Sequence, residues 1–230
     1  MICNQCDNEF SRLGSHWYAS SSCDFPLFTD NEEEVITGLL MGDGCIDNST
    51  KNPSLVVNMT NKEFLKHLDS YFGNKSSGVN FFRSAKDQAS QGRFSDNPDN
   101  YSDQYRWKSV TNPKLLEYRD WYSTGKKLFP ENIKLTPTIF KYWYACDGTY
   151  DTSGSQNRIS IAASNEANNK EKINSYFINI PKPSNWNITE RSSGGKRCNI
   201  VWTKSDTKKL FDYMGEPLPG FEYKWPNQKI

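Results

Sequence analysis

The sequence predicts an α+β protein in which an αββαββα unit occurs twice about a pseudo-twofold axis, behind a small N-terminal Cys/His module. Two apolar runs, residues 35–44 and 140–148, share one plan and both end in Asp-Gly. Behind each run, segments with strand and helix periodicity recur at nearly constant offsets. Ahead of the first run, Cys3, Cys6, His16 and Cys23 crowd into residues 1–29.

The first run reads as a helix up to Asp43. Glu32, Glu33 and Glu34 favour its N-terminus, and the apolar positions that follow leave no polar face, so it is expected to be buried. Gly38 and Gly42 are four apart and share one helix face, where a second backbone can come close, and Cys146 stands at the place matching Gly42. Two helices of this kind can cross tightly. Gly44 and Gly148 are expected to stop them, leaving Asp43 and Asp147 at the ends of a buried pair. Carboxylates buried side by side are costly unless a cation lies between them, and a divalent metal with oxygen ligands is the usual solution.

After the first run, residues 45–50, a turn at Lys51-Asn52-Pro53 and residues 54–59 read as a hairpin. Residues 61–72 have helical periodicity, with Phe64, Leu65, Leu68, Tyr71 and Phe72 on the buried side and Gly73 as the stop. Residues 79–84 and 104–110 make a second hairpin around a polar excursion, 85–103, of a length that implies disorder or function. Asn112-Pro113 opens a helix over 114–122. The second half retraces this path: residues 158–163 match 54–59, Asn174-Ser175-Tyr176-Phe177 echoes Asp69-Ser70-Tyr71-Phe72, and 198–203 match 104–110 with Trp202 against Trp107. The offsets 147 − 43 and 165 − 61 are both 104 and 176 − 71 is 105, but 202 − 107 is 95, which puts an insertion in the first half at the polar excursion. The organisation read from the sequence is a module at 1–29, a first repeat at 30–128 and a second at 129–230.

With 230 residues, 24% charged and 35% hydrophobic, the chain can bury one or two good cores. No apolar run approaches membrane-spanning length. The N-terminus lacks a charged region followed by an apolar stretch, so no secretory signal is expected and an intracellular place, cytoplasmic or organellar, is. The net charge of +1, from 28 Lys and Arg against 27 Asp and Glu, is no global nucleic-acid signature. Any such binding has to rest on local clustering, as when a sheet presents a basic face and helices carry the compensating acids.

In residues 1–29, Cys3-x2-Cys6 followed by His16 and Cys23 gives ligands at distances that fit a tetrahedral Zn²⁺ site, with Phe10 and Leu13 as a small apolar cluster. A segment this short cannot fold on apolar burial alone, so a metal accounts for the ligand cluster. A flexible reduced arm is the competing reading.

The two runs resemble the paired signature of the LAGLIDADG homing endonucleases in their single-chain, two-repeat form. The first matches it at Gly38, Leu39, Asp43 and Gly44; the second has Lys141 and Tyr142 where the pattern has Ala and Gly, but keeps its Asp-Gly ending. The resemblance spans about residues 32–227 and implies a monomer whose two antiparallel sheets form a saddle on double-stranded DNA. It implies a double-strand break across the minor groove of one long asymmetric target, by phosphodiester hydrolysis with Mg²⁺ or Mn²⁺. Asp43 and Asp147 would be the metal ligands, with the backbone carbonyls of Gly42 and Cys146 beside them. Lys127 and Lys224 fit the basic residue of each active site, and Asn61 and Asn165 the water-orienting residue, for which the family more often has Gln. On the strands, Asn58, Arg83, Lys86, Arg106 and Lys108 in the first repeat and Arg158, Arg191, Lys196, Arg197 and Lys204 in the second are the candidates for DNA contact, as Arg pairs with guanine, Asn with adenine and Lys with phosphate. Too few residues flank the repeats for a splicing domain, so a complete intein is not expected. The alternatives are a non-cleaving nucleic-acid binder on the same fold, such as an intron maturase or a DNA-binding regulator, and a structural zinc-bearing adaptor.

Overall fold

Eight strands pair into two separate four-stranded antiparallel sheets in the computed structural model, which describes residues 1–91, 95–153, 157–192 and 194–226. In chain order the elements are α1 (Leu13–Ala19), α2 (Asp30–Met41), β1 (Gly44–Asp47), β2 (Ser54–Met59), α3 (Lys62–Phe72), β3 (Ser76–Arg83), α4 (Ala85–Ser90) and β4 (Gln104–Ser109). A 3-10 helix, Pro113–Tyr122, replaces the α-helix expected at 114–122. Then follow α5 (Pro137–Asp147), β5 (Gly148–Asp151), β6 (Arg158–Ala162), α6 (Lys170–Ser175), β7 (Asn185–Glu190), β8 (Lys196–Val201) and α7 (Lys204–Met214). The contacts divide the chain into one unit of residues 1–32 and 43–117 and another of 33–42 and 118–230. This partition differs from the repeat boundary expected at 128 and 129, because a compact unit is defined by what packs and a repeat by sequence likeness. No described helix is long and apolar enough to cross a membrane.

In the first unit the sheet order is β1-β2-β4-β3, and α3 packs against it. Asn61 caps α3 by accepting the Phe64 N–H at 3.1 Å, and Gly73 ends it at φ 51°, a conformation that favours glycine. Phe64, Leu65 and Leu68 are fully buried, each worth roughly 1.5–3 kcal/mol over exposure. Tyr71, expected on the same side, is 39% exposed. The buried Trp107 donates its indole N–H to Ser76 Oγ at 2.8 Å, and that hydroxyl donates to Asp69 at 2.6 Å. Thr29 and Glu32 form a capping box at the start of α2, and Glu32 also takes the Lys75 ammonium at 2.5 Å. The polar excursion begins as helix α4, capped by Ser84 and Asp87 and tied back by Gln88 to the Ser102 carbonyl at 2.6 Å; its residues 92–94, Arg93 among them, lie outside the described residues.

The second unit repeats the topology as β5-β6-β8-β7. Thr136 caps α5 with Pro137 at its first position. The core is aromatic: Phe140 meets Trp143, Phe177 and Trp202 edge-on at centroid distances of 6.1, 6.1 and 5.9 Å. Sheet register corrects one pairing read from the sequence. Gly44, Val57 and Trp107 lie side by side in the first sheet, as Gly148, Ile161 and Ile200 do in the second. The differences 148 − 44 and 161 − 57 are both 104, while 200 − 107 is 93, so the counterpart of Trp107 is Ile200. Trp202 lies beyond the strand and donates to the Pro181 carbonyl at 2.8 Å.

Candidate active site and nucleic-acid interface

The end of α2 and the end of α5 pack together within the second unit. A Cβ on Gly38 would lie 2.7 Å from both the Ile139 carbonyl oxygen and Tyr142 Cβ, and one on Gly42 would sit on Cys146 Cβ. Tyr142, bulky where the signature has glycine, is therefore accommodated by the glycine opposite. Asp43 and Asp147 each follow directly on one of the abutting pair Gly42 and Cys146. Gly44 and Gly148, expected as helix stops, stand past the ends of α2 and α5 and also open strands β1 and β5; Gly148 is the C-cap of α5, at φ −85°, and is glycine because a Cβ would enter the Tyr144 ring.

Each helix end carries a lysine. The Lys127 ammonium donates to the Gly42 carbonyl, and the Lys224 ammonium to Ala145 O at 2.6 Å, with Cys146 O at 3.5 Å. An ammonium at a helix C-terminus is favoured by the macrodipole. The carbonyls of Gly42 and Cys146, expected as metal ligands, thus face ammonium groups. The backbone beneath Lys127 is held by residues that the sequence reading missed: buried Glu166 accepts the Phe129 N–H at 2.6 Å and pairs with Lys172 at 2.8 Å, and Lys172 donates to the Phe129 carbonyl at 2.9 Å. Asn165 Nδ2 donates to the Lys127 carbonyl at 3.2 Å, whereas Asn61 Oδ1 is used as the cap of α3, so these two asparagines do different local work. Beneath Lys224, Tyr144 Oη donates to the Lys224 carbonyl at 2.6 Å; burial pushes that phenol well above the usual tyrosine range.

Strand alternation decides which of the expected DNA contacts reach the open face of each sheet. In the first sheet, Asn58, Arg106 and Lys108 lie on the open face, opposite buried Trp107. Arg106 stacks 3.8 Å over the Phe82 ring centroid and donates to Asn58 Oδ1 at 2.7 Å. Lys108 pairs with Asp47 at 2.6 Å, which holds that carboxyl at about 2. Arg83 donates to Gln91 at 2.9 Å, next to a bulge that aims Phe82 under Arg106, and Lys86 is exposed on α4. In the second sheet Arg158 and Arg197 share the open face, Arg158 lying 3.6 Å from Asp151. Lys196 is a correction: it alternates with Arg197 onto the other face and donates to Asn168 at 2.8 Å. Arg191 lies in the turn after β7, and Lys204 starts α7, so neither is a strand residue. Asn80 beside Arg106, and Asn187, Thr189 and Asn199 on the second open face, were not picked out from sequence, because an asparagine gains meaning only once strand register is known.

A family model described as the LAGLIDADG DNA endonuclease family matches residues 33–210. The chain belongs to that family. Among solved structures, the homing endonuclease I-WcaI bound to its DNA recognition sequence is similar at a TM-score of 0.67 and 16% identity, over 87% of this chain and 88% of that one. The N-terminal LAGLIDADG domain of DUF199/WhiA (TM-score 0.44, 14% identity, 94% of each chain) and the LAGLIDADG meganuclease I-AabMI bound to uncleaved DNA (0.45, 10%, 82% and 86%) are more distant. No curated relative matches the sequence.

Residues 1–29 lie outside the stretch that the family model matches. There the structure brings Cys3, Cys6, His16 and Cys23 together as the spacing predicted, with one ligand atom from each lying within 4.8 Å of the others. Cys3 is fully buried, yet the N–H groups of Gln5 and Cys6 and the Trp17 indole outweigh that desolvation and bring its thiol down to about 6. Cys6 is raised: the Asn8 N–H lowers it, but burial and the neighbouring Cys23 and Cys3 prevail.

Proposed function

We propose that this LAGLIDADG protein is a site-specific endodeoxyribonuclease that acts as a monomer on one long asymmetric double-stranded target. The observation that carries the reading is the packing of Gly42 against Cys146, each followed in the chain by an aspartate and each beside a lysine-bound helix end. Two carboxylates at helix C-termini, where the dipole also favours a cation, form a donor set suited to Mg²⁺ or Mn²⁺, with Asp43 and Asp147 as the residues to hold it. A divalent metal so bound would acidify a water and neutralise charge developing on the scissile phosphate.

The chain's own residues do the rest. The open faces lie along the major groove, Arg106 and Asn58 reading base edges and Lys108 facing phosphate. Lys127 and Lys224, anchored at side chain and backbone, hold positive charge near each strand's reacting phosphate without reorganising during reaction. Asn165, through the Lys127 carbonyl, positions one of them.

The test is cleavage of a plasmid library in Mg²⁺ by wild type, Asp43→Asn and Asp147→Asn. Linearisation at one long site, abolished or reduced to nicking in the variants, is expected. Tight, salt-dependent binding of DNA or structured RNA with no cleavage by wild type would overturn the nuclease in favour of a binding protein on the same fold.

A further inference from the structure

Residues 1–29 form a small body with too little core to fold alone. Leu13 and Trp17 of α1, with Cys3 and Cys23, pack on Val110 just past β4, and Phe10 and Phe25 flank them. Gly14 approaches Thr111 so closely that a Cβ would strike its hydroxyl. Two of the four clustered ligand residues, Cys3 and Cys23, are at least 97% buried, and all the thiols are free. N–H groups surround the sulfurs: Gln5, Cys6 and the Trp17 indole, at 3.4 Å, aim at Cys3, and Asn8 aims at Cys6. Donors of this kind compensate thiolate charge in metal centres. Phe10 stacks 3.7 Å from His16 and fixes its ring, whose Nε2 faces Cys6 Sγ at 3.6 Å. Three thiols and one imidazole meeting at a point inside a segment this small form a closed tetrahedral set of the structural zinc type.

The docked module closes one side of a cleft of about 750 Å³ within the first unit. Arg12, Lys51, Lys108 and the N-terminal Met1 line it, and among the described residues no carboxylate does. Tyr18 of α1 reaches the β1–β2 turn, where Lys51 Nζ donates to its hydroxyl at 3.1 Å and lies 5.0 Å over its ring. Lys108 connects the cleft to the open face carrying Arg106.

We propose that Cys3, Cys6, His16 and Cys23 hold a structural Zn²⁺, and that this centre fixes α1 so that Arg12 and Lys51 form a cationic ledge that takes DNA phosphates beyond the reach of the first sheet. The zinc half stands on this module alone; the ledge rests on the proposed DNA target. Phosphate contacts of this kind position a duplex without reading sequence.

The full chain, purified without added metal, is expected to carry one equivalent of zinc by elemental analysis, and its cobalt form to show the thiolate charge-transfer bands of a Cys3His site. His16→Cys keeps the metal and Cys6→Ser loses it. Zinc-free wild type that takes up neither metal overturns the centre. For the ledge, the doubly substituted Arg12→Ala, Lys51→Ala protein keeps its zinc. Its log–log salt dependence of DNA binding, measured in Ca²⁺, is expected to be shallower by about two, with protection lost at one end of the footprint only. An unchanged slope and footprint overturn the ledge. Zinc retained in a wild type that binds no DNA would mark failure of the DNA reading rather than of the centre.

Discussion

On the first sheet, the open face is built around fixed cations: Arg106 is sandwiched between the Phe82 ring and Asn58, and Lys108 is locked to Asp47. On the second, the matching face is lined mainly by short neutral side chains, Asn187, Thr189 and Asn199, with Arg197 exposed and Arg158 only loosely opposite Asp151. Strand order and antiparallel pairing are the same in both. A duplicated scaffold has kept the pairing that its cores require and let the solvent-facing positions diverge, which on the proposed function would suit one chain to two unlike half-sites.

The comparison can be broken at several strengths. The largest effect is expected in the cores: Trp107→Ala should cost about 3–5 kcal/mol in urea unfolding and its counterpart Ile200→Ala about 2–5, and a loss under about 1 at Ile200 would argue against its place in the second core. Next is readout. Arg106→Ala should lose about 1–3 kcal/mol of discrimination at one position in one half-site and leave the other half unchanged, as profiled by competitive binding to a mutated target library. The smallest effect concerns Lys108. Asp47→Asn removes the carboxylate that competes with phosphate for this ammonium, so DNA binding should tighten and its salt slope should steepen by up to about one unit. The same variant should lose under about 1 kcal/mol of stability at neutral pH, because the pair is about one-third exposed. Asp47 titrates at about 2 in the fold against 3.8 ordinarily, so the pair's contribution is present above 3.8 and fades as pH falls through that value toward 2. Wild type and variant should therefore converge in acid.

Much of this was legible in the chain because the motifs carry their own geometry. Two Asp-Gly endings, Gly38 and Gly42 four apart, and lysines ahead of each exit segment marked the helix crossing and its ammonium groups. Cys3, Cys6, His16 and Cys23 declared themselves by spacing. What escaped is set by tertiary pairing. Trp202 was matched to Trp107 by identity, but hydrogen bonding to β6 fixes the register and hands that place to Ile200. Lys196 and Arg197 look alike as neighbouring cations, and only the pleat sends them to opposite faces. Asn61, read as a water-orienting residue, also starts α3 as its cap, a duty that the sequence reading did not assign. Glu166 and Lys172 carried no signal, since a buried ion pair is indistinguishable from two surface charges until burial is seen.

The place of α2 in the chain has a consequence for biosynthesis. Val35, Ile36, Leu39, Leu40 and Met41 are all at most 2% exposed, and the helix partner that lies against Gly38 and Gly42 is α5. Gly42 and Cys146 are 104 residues apart (146 − 42). At roughly 5–20 residues per second of translation, the apolar segment waits about 5–20 s for its partner to be made. During that interval the nascent chain carries the apolar helix without the α5 surface that covers its glycine face, which would tie folding yield to the speed of synthesis.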